Sequence, residues 1–283
     1  MRTALLLTVA VAACARGGTP TLAATPAAVA PADGSAAGAT SDQAQAEPGA
    51  EQPGTDDDHE VAESAIDAWA RVLDRFVTDD GGFRYAALMA DTGAMADLEV
   101  WLRYVATVDL DTLDRDARLA LLINAYNAYT VKSVIELWPI ESVMSVPGFF
   151  DARTHVVAGS GLTLNRLEND RIRAVFGEPR IHFLVNCAST GCPPLAPVPV
   201  TADSLESLLE EHTGRFVRAT VRETEAGLEA SRIFDWFDDD FESAGGVRAF
   251  MARYLDGEIA ARMLDGSVPL RFTHYDWSLN GRE

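Results

Sequence analysis

The sequence predicts a helix-rich α+β domain built around a small, mostly antiparallel sheet. Apolar residues recur at helical spacing in several long segments, whereas the extended segments are short and bounded by glycine or other turn residues. No segment is repeated elsewhere in the chain. The roughly 225 residues of the predicted globular domain, 59–283, are enough to bury a single core.

Apolar spacing and end signals define the predicted helices. Ala62, Ile66, Trp69, Leu73 and Phe76 form one apolar stripe, which an Asp-Asp-Gly-Gly turn follows. A second stripe lies within 95–105, and a third helix, 115–137, ends before a proline. Threonine and glycine flank the next predicted helix, 164–176. Helices are also expected at 202–217, 234–241 and 247–255.

Short extended segments supply the predicted sheet. Residues 147–163 contain two such runs around a Gly-Ser-Gly turn, which predicts a hairpin. Residues 181–186 are nearly all apolar, which predicts a strand buried on both faces. A strand or hairpin is expected within 221–230, and a short final strand at 271–273.

The amino terminus predicts export. In residues 1–13 an arginine is followed by a short apolar run and small residues, the parts of a signal peptide, and Cys14 comes next. This arrangement resembles a bacterial lipobox. We expect Cys14 to be acylated and to hold the chain on the outer membrane, with the domain facing the periplasm. An ordinary cleaved signal followed by a chance cysteine is the alternative.

Composition separates residues 14–58 from the domain and excludes one class of partner. Alanine, proline, glycine and small polar residues dominate this segment, so we expect a disordered linker between the lipid and the domain. The chain has a formal net charge of -20 at pH 7. Because nucleic acids bind basic surfaces, we expect no nucleic-acid partner.

Residues 180–195 contain the strongest site signal. On a regular strand His182 and Asn186 would point to one face and Cys187 to the other. Cys187 can therefore reach the His182 ring only if the chain leaves the strand at Asn186, which the following Ala-Ser-Thr-Gly turn allows. A thiol beside an imidazole is a nucleophile at neutral pH.

Three interpretations of the two cysteines stay open. In an oxidising compartment Cys187 and Cys192 can form a structural disulfide, which would contribute about 2 kcal/mol through its small ring. They can instead form a reactive thiol or redox-active pair. The third interpretation is a metal bound by both sulfurs and His182.

Two further segments combine polar and aromatic residues. Asn124 and Asn127 lie on one face of an otherwise apolar helix, with Tyr126 beside them. Buried amides need partners, so they either brace a loop such as 186–192 or orient a catalytic ring. Near the carboxyl end, His274 is a second candidate base and Asp276 a candidate orienting carboxylate.

Other polar residues are expected to be structural. We interpret Glu168 and Asn169 as a solvated helix face, and Asp235 with Trp236 as a solvated carboxylate and a packed aromatic. The motifs of nucleotide-binding loops, serine hydrolases and zinc proteases do not occur in the sequence. Their absence removes the common nucleotide-binding, serine-hydrolase and zinc-protease assignments; we expect no cofactor and, apart from the third interpretation of the two cysteines, no metal.

Five motifs, in order, resemble the domain of unknown function 547 family. They are Ile-Asn-Ala-Tyr-Asn-Ala at 123–128, Leu-Thr-Leu-Asn-Arg-Leu-Glu at 162–168, the segment 179–195, Ile-Phe-Asp-Trp-Phe at 233–237, and Tyr-Asp-Trp-Ser-Leu-Asn at 275–280. The resemblance covers about 65–280 and implies one globular domain, exported in bacterial members. Asn165 and Asn169 stand where the family often has Asp or His.

The sequence supports two functional hypotheses. The first is a cysteine-dependent hydrolase or acyl transferase in which Cys187 is the nucleophile, His182 or His274 the base, and Asn124 or Asn127 the orienting amide. Tyr126, Asn186 and Asp276 are the expected substrate-binding residues. The second is a non-catalytic module that binds a peptide, glycan or protein and carries a structural Cys187–Cys192 disulfide.

Overall fold

A buried central helix organises residues 56–281, which are those that the computed structural model describes. In chain order the helices are α1 Asp56–Phe76, α2 Tyr85–Ala90, α3 Thr92–Thr107, α4 Arg115–Glu136, α5 Leu164–Arg166, α6 Ala174–Phe176, α7 Ala202–Thr220, α8 Ile233–Trp236, α9 Gly246–Ala252 and α10 Gly257–Asp265. A π-helix, Leu167–Arg173, joins α5 to α6. Segments of 3₁₀-helix include Leu110–Thr112, Val143–Ser145, Pro179–Phe183 and Asp238–Ala244.

The strands form two small sheets. They are β1 His155–Val157, β2 Ser160–Leu162, β3 Arg222–Thr224, β4 Gly227–Ala230 and β5 Leu270–Phe272. β1 and β2 are an antiparallel hairpin with His155 opposite Leu162. β3 pairs antiparallel with β4, and β4 pairs parallel with β5. The predicted class, a helix-rich α+β fold with mostly antiparallel pairing, is confirmed.

The central helix α4 is apolar on nearly every face because it is covered on nearly every side. Its first turn is capped by Asp114, whose carboxylate accepts hydrogen bonds from the backbone N–H groups of Asp116 and Ala117. Helices α2 and α3 contact it, as do α7 and the π-helix. A helix buried in this way positions side chains for both halves of the domain.

Two apolar clusters make up the core. The first packs α1–α4 around Trp69 and Trp101. The second packs α7–α9 against the three-stranded sheet. Its centre is a group of phenylalanines, namely Phe183, Phe216, Phe234, Phe241 and Phe250. Cys187 and Trp277 contact both clusters, so the boundary between the clusters runs past them.

Local sequence patterns predicted most of the helices and strands, but one predicted strand is wrong. The hairpin at β1–β2 and the long helices are confirmed, whereas α2 and α10 were not expected. Residues 181–186 form the end of a 3₁₀-helix and a turn. Glu178 caps this helix by accepting the N–H of Arg180, and Pro179 fixes its first turn. The Asn127 side chain of α4 then donates to the carbonyl of Leu184 and accepts the N–H of Asn186. These two backbone groups therefore need no partner on a neighbouring strand.

The predictions for the signal peptide, for Cys14 and for most of the linker lie outside the described residues. Within 56–281, none of the helices is both long and apolar enough to cross a membrane.

One buried histidine connects α4 to the hairpin. The His155 ring stacks on Tyr129 with 4.5 Å between ring centroids, and its Nε2 lies 3.3 Å from the Ser133 hydroxyl. Burial lowers the pKa of His155 to about 4, and the Glu136 carboxylate opposes this only in part. The folded protein therefore holds this ring neutral.

We expect His155 to make the protein less stable in mild acid. Between pH 6.5 and 4 the unfolded chain protonates this ring and the folded chain does not, so the free energy of unfolding falls as pH falls, by at most about 1.4 kcal/mol per pH unit. Urea unfolding at pH 7, 6 and 5 measures this, and His155→Gln should flatten the profile. His59→Gln, at an exposed histidine, is the control. Equal slopes in the protein and His155→Gln would contradict the assignment.

Candidate functional site

A narrow cavity, here called the central pocket, lies where the two apolar clusters meet. Its volume is about 50 Å³. The lining residues are Tyr126, Phe150, Glu168, His182, Val185, Cys187, Cys192, Pro193, Ile233, Trp236, Phe237, Tyr275 and Trp277. The pocket therefore combines aromatic rings with a carboxyl, an imidazole and two sulfurs.

Cys187 and Cys192 are joined by a disulfide. Their Cα atoms are 6.3 Å apart, and both residues are half-buried at the pocket. The small ring closes a tight turn in which the N–H of Cys192 donates to the carbonyl of Ser189 at 3.0 Å. Ala188 has a φ of 62°, so the turn also uses the left-handed region. In this state Cys187 has no free thiol.

The two α4 amides brace irregular backbone. Asn127 donates its Nδ2 to the carbonyl of Leu184 at 2.9 Å and accepts the N–H of Asn186 at 2.8 Å. Asn124 makes the same pair of bonds to the two backbone groups of Val200, at 2.6 and 3.0 Å. Neither amide lines the central pocket. Their positions match the loop-bracing interpretation.

Asn186 holds the disulfide turn together. Its Nδ2 donates to the carbonyl of Pro193 at 2.8 Å, and its Oδ1 accepts the N–H of Ala188 at 2.9 Å. The side chain of Asn280 also donates to this oxygen, at 3.1 Å. These bonds place the predicted substrate-binding amide inside the turn, and it is not among the residues that line the central pocket.

The carboxyl-terminal segment closes one side of the turn. The N–H of Gly191 donates to the carbonyl of Asp276, and the N–H of Thr190 to the carbonyl of Ser278, both at 2.8 Å. A Cβ on Gly191 would lie 3.0 Å from the Tyr275 ring, so glycine allows the ring to approach the turn. This docking brings Tyr275 and Trp277 into the pocket wall.

His182 is fixed by an ion-paired carboxylate. Its ring stacks on Phe237 with 4.0 Å between centroids, and its Nε2 lies 2.6 Å from Asp240 Oδ2. Arg173 donates to both oxygens of Asp240, at 2.7 and 3.0 Å. Burial disfavours the Asp240 charge, but the bonds from His182 and Arg173 bring its pKa well below its usual range. We therefore assign the Nε2 proton to the histidine, since a carboxylate can only accept.

Glu168 is buried in the pocket, which corrects the expectation of a solvated face. Only 6% of this residue is exposed. Burial raises the pKa of the Glu168 carboxyl, and the charges of His182 and Arg173 and a hydrogen bond with Tyr126 oppose the shift only in part. The π-helix presents this side chain, and π-helical turns are frequent at functional sites.

Three aromatic rings form one wall of the pocket. Tyr275 lies 4.9 Å from Trp236 and 4.6 Å from Trp277 between ring centroids, and the two indoles stack at 5.6 Å. Trp236 and Trp277 are half-buried, whereas Tyr275 is buried. The indoles therefore remain partly available to a ligand.

The structure gathers only some of the predicted site residues. His182, Cys187, Cys192 and Tyr126 line the central pocket. His274 lies on the exposed surface. Asp276 is also exposed, and its carboxylate caps the N–H of Ser278 at 2.9 Å. The catalytic and substrate-binding roles assigned to these residues stay predictions.

Sequence reasoning missed Glu168, Phe237 and the Asp240–Arg173 pair. A signal for Glu168 was present, because it lies four residues after Leu164 and four before Ile172, on the buried face of its helix. Asp240 has no such signal, since its partners are remote in sequence. Within residues 56–281 no group of three histidine, cysteine, aspartate or glutamate side chains is arranged to hold a metal ion.

Residues 110–217 match the model of a family described as a protein of unknown function, DUF547. The matched range contains the motifs at 123–128, 162–168 and 179–195, so the resemblance inferred from these motifs is confirmed there. The motifs at 233–237 and 275–280 lie outside it. Searches of curated proteins and of solved structures found no match to the chain.

We expect Glu168 to destabilise the fold at neutral pH. A carboxyl whose pKa is raised by burial costs stability once the unfolded chain ionises, so the free energy of unfolding should fall as pH rises above about 4.5, by at most about 1.4 kcal/mol per pH unit. Glu168→Gln removes this cost and should raise the urea midpoint at pH 7. The matched control is Glu225→Gln, at an exposed turn. A lower midpoint for Glu168→Gln than for the control would contradict the prediction.

Proposed function

We propose that the chain is a membrane-tethered binding protein whose central pocket receives one end of a peptide or glycan. The composition of the pocket carries this proposal. Partly available indoles of Trp236 and Trp277 border the same cavity as the Glu168 carboxyl and the His182 imidazole. Pockets that combine apolar walls with a few polar groups are typical of ligand sites.

The size of the pocket indicates which part of a ligand enters. A cavity of about 50 Å³ has room for a few water molecules, since one water needs roughly 10–15 Å³ of such space. A whole sugar ring or peptide segment does not fit. A terminal or side-chain group enters, and the rest of the ligand then lies across the half-buried indoles.

The polar groups favour an uncharged hydrogen-bonding end group. Because burial raises the pKa of Glu168, its carboxyl is held neutral over a wider pH range than an exposed one and can both donate and accept a hydrogen bond. An amide or a hydroxyl satisfies such a carboxyl, whereas a second carboxylate would be disfavoured. Peptides and glycans both offer such groups.

The proposed location follows from the amino-terminal sequence. Residues 1–13 and Cys14 support export and acylation, and the composition of 14–58 supports a linker long enough to separate the domain from a lipid anchor. On this proposal the domain faces the periplasm from the outer membrane. Its binding partners would be periplasmic peptides, glycans or proteins.

A cysteine-dependent hydrolase or acyl transferase is the second candidate. It is favoured by one observation, that Cys187 and His182 line the same pocket. Because the disulfide occupies the Cys187 sulfur, this activity requires prior reduction. The binding proposal needs no such step, and we therefore place it first.

Removing one indole should abolish most of the binding. Trp277→Ala should weaken binding of the best ligand by about tenfold or more, because aromatic side chains that a ligand covers contribute most of the binding free energy at such sites. The measurement is isothermal titration calorimetry of the full domain against panels of short peptides and oligosaccharides. The panel that binds distinguishes the two ligand classes.

The control for this experiment is Leu264→Ala, which removes an exposed apolar side chain, 62% accessible, on α10. Its affinity should equal that of the unchanged protein. Circular dichroism checks that both variants fold. Equal affinities for Trp277→Ala and Leu264→Ala would overturn the proposed site.

Alkylation separates the two candidates. Without reductant, iodoacetamide should leave both cysteines unlabelled, and the peptide that contains them should be lighter by about two hydrogens than its reduced form. After reduction, thioester substrates should not be turned over. Turnover by the reduced protein that is lost in Cys187→Ser would instead establish the hydrolase.

A further inference from the structure

The two sulfurs of the disulfide have unequal hydrogen-bond surroundings. The backbone N–H of Cys187 lies 3.0 Å from Cys192 Sγ, and the Tyr275 hydroxyl donates to the same sulfur at 3.1 Å. Because disulfide sulfurs carry no hydrogen, these groups are the donors. The N–H cannot rotate away, so Cys192 Sγ has a permanent donor.

Cys187 Sγ has only rotatable neighbours among these contacts. The Ser189 hydroxyl lies 2.9 Å away and the Tyr275 hydroxyl 3.2 Å away. Each hydroxyl has a single hydrogen, and Ser189 also donates to Tyr275 at 3.0 Å. When the Ser189 hydroxyl donates to the Tyr275 oxygen, the Tyr275 hydroxyl is oriented to donate its own hydrogen to Cys192 Sγ. Neither hydroxyl hydrogen then points at Cys187 Sγ.

This asymmetry matters when the bond between the sulfurs breaks. In thiol–disulfide exchange the electron pair leaves on one sulfur, and hydrogen bonds to that sulfur stabilise the thiolate that forms. The surroundings favour Cys192 as the leaving sulfur and Cys187 as the attacked one. Both half-buried residues line the central pocket, so a small thiol that enters the pocket can reach them.

We propose that the Cys187–Cys192 disulfide is a thiol–disulfide exchange centre for small thiols that enter the central pocket. A thiolate attacks Cys187 Sγ, a bond forms between the two, and the bond between Cys187 and Cys192 breaks with its electron pair on Cys192 Sγ. Cys192 then takes the proton that the thiol lost. A second small thiolate then attacks the small-molecule sulfur of this mixed disulfide, and the bond to Cys187 Sγ breaks with its electron pair on Cys187. Cys187 takes the proton that the second thiol lost, so a small-molecule disulfide is released and two protein thiols remain.

Tyr275 is a catalytic residue in this step because its hydroxyl contacts the leaving sulfur. The activity is separate from the binding of a peptide or glycan, since it needs only a thiol in the pocket. Failure of one proposal therefore leaves the other testable on its own.

The position of the mixed disulfide tests the assignment in the unchanged protein. The full domain is incubated with 2-mercaptoethanol, quenched with acid and mapped by mass spectrometry. The adduct should lie on Cys187. An adduct on Cys192 would overturn the proposal. A thiol could reach Cys192 from the other side, because Cys192 also borders a neighbouring cavity beside Gly81 and Asn280.

The rate of reduction tests the role of the pocket. The reference is an oxidised synthetic peptide of residues 185–194, which has the same disulfide ring without the pocket. We expect 2-mercaptoethanol to reduce the protein disulfide faster than the peptide. Equal or slower reduction of the protein would overturn the proposal, whatever the variants show.

Removing the Tyr275 hydroxyl tests whether its hydrogen bond stabilises Cys192 as the leaving sulfur. Tyr275→Phe should slow reduction by about tenfold, because a hydrogen bond to a charged acceptor is lost. Tyr254→Phe is the matched control, since the Tyr254 hydroxyl donates to Glu210 and not to the disulfide. Its rate should be that of the unchanged protein. If the two variants reduce equally fast, Tyr275 has no such role.

Discussion

The structure depends on hydrogen-bond partners for the backbone N–H and C=O groups of a long segment that belongs to neither sheet. From Leu184 to Val200 most of the chain is buried or half-buried, with Thr190, Pro197 and Val198 exposed, and it forms no ladder of strand hydrogen bonds. Two amides of α4, Asn127 and Asn124, accept and donate at the two ends of this stretch. An unpaired buried backbone group costs about 1–3 kcal/mol, so these amides make the irregular path possible. The turn that contains the disulfide lies between them.

The central pocket follows from this path. The turn at Cys187 contacts both apolar clusters and leaves the central pocket between them. The carboxyl-terminal rings of Tyr275 and Trp277 form one wall of this pocket. A buried carboxyl, Glu168, is retained in that gap although burial raises its pKa. Buried ionisable groups with shifted pKa values are concentrated at functional sites, where stability is given up for chemistry.

Local signals explain what the sequence predicted and what it did not. The class, the α4 boundaries and the hairpin at β1–β2 follow from spacing, caps and turns, which act over a few residues. The predicted strand at 181–186 is wrong because the backbone there bonds to a side chain, Asn127, which lies 57 residues before Leu184. His182 and Cys187 line the same pocket, yet Asp240 lies 58 residues after His182 and only the fold brings these two together. Chemistry that depends on such distant pairs is not encoded in any local pattern.

The bracing of the turn and the chemistry of its sulfurs have one physical origin. Docking of the carboxyl-terminal segment, through the bonds from Thr190 and Gly191, fixes the Tyr275 hydroxyl against the disulfide. The same turn directs the Cys187 N–H at Cys192 Sγ. Because donors that are already oriented need not reorganise when charge develops, a rigid turn stabilises a departing thiolate better than a flexible one. In a structural disulfide these contacts satisfy the donors, and in an exchange centre they also stabilise the charge that develops on Cys192 Sγ.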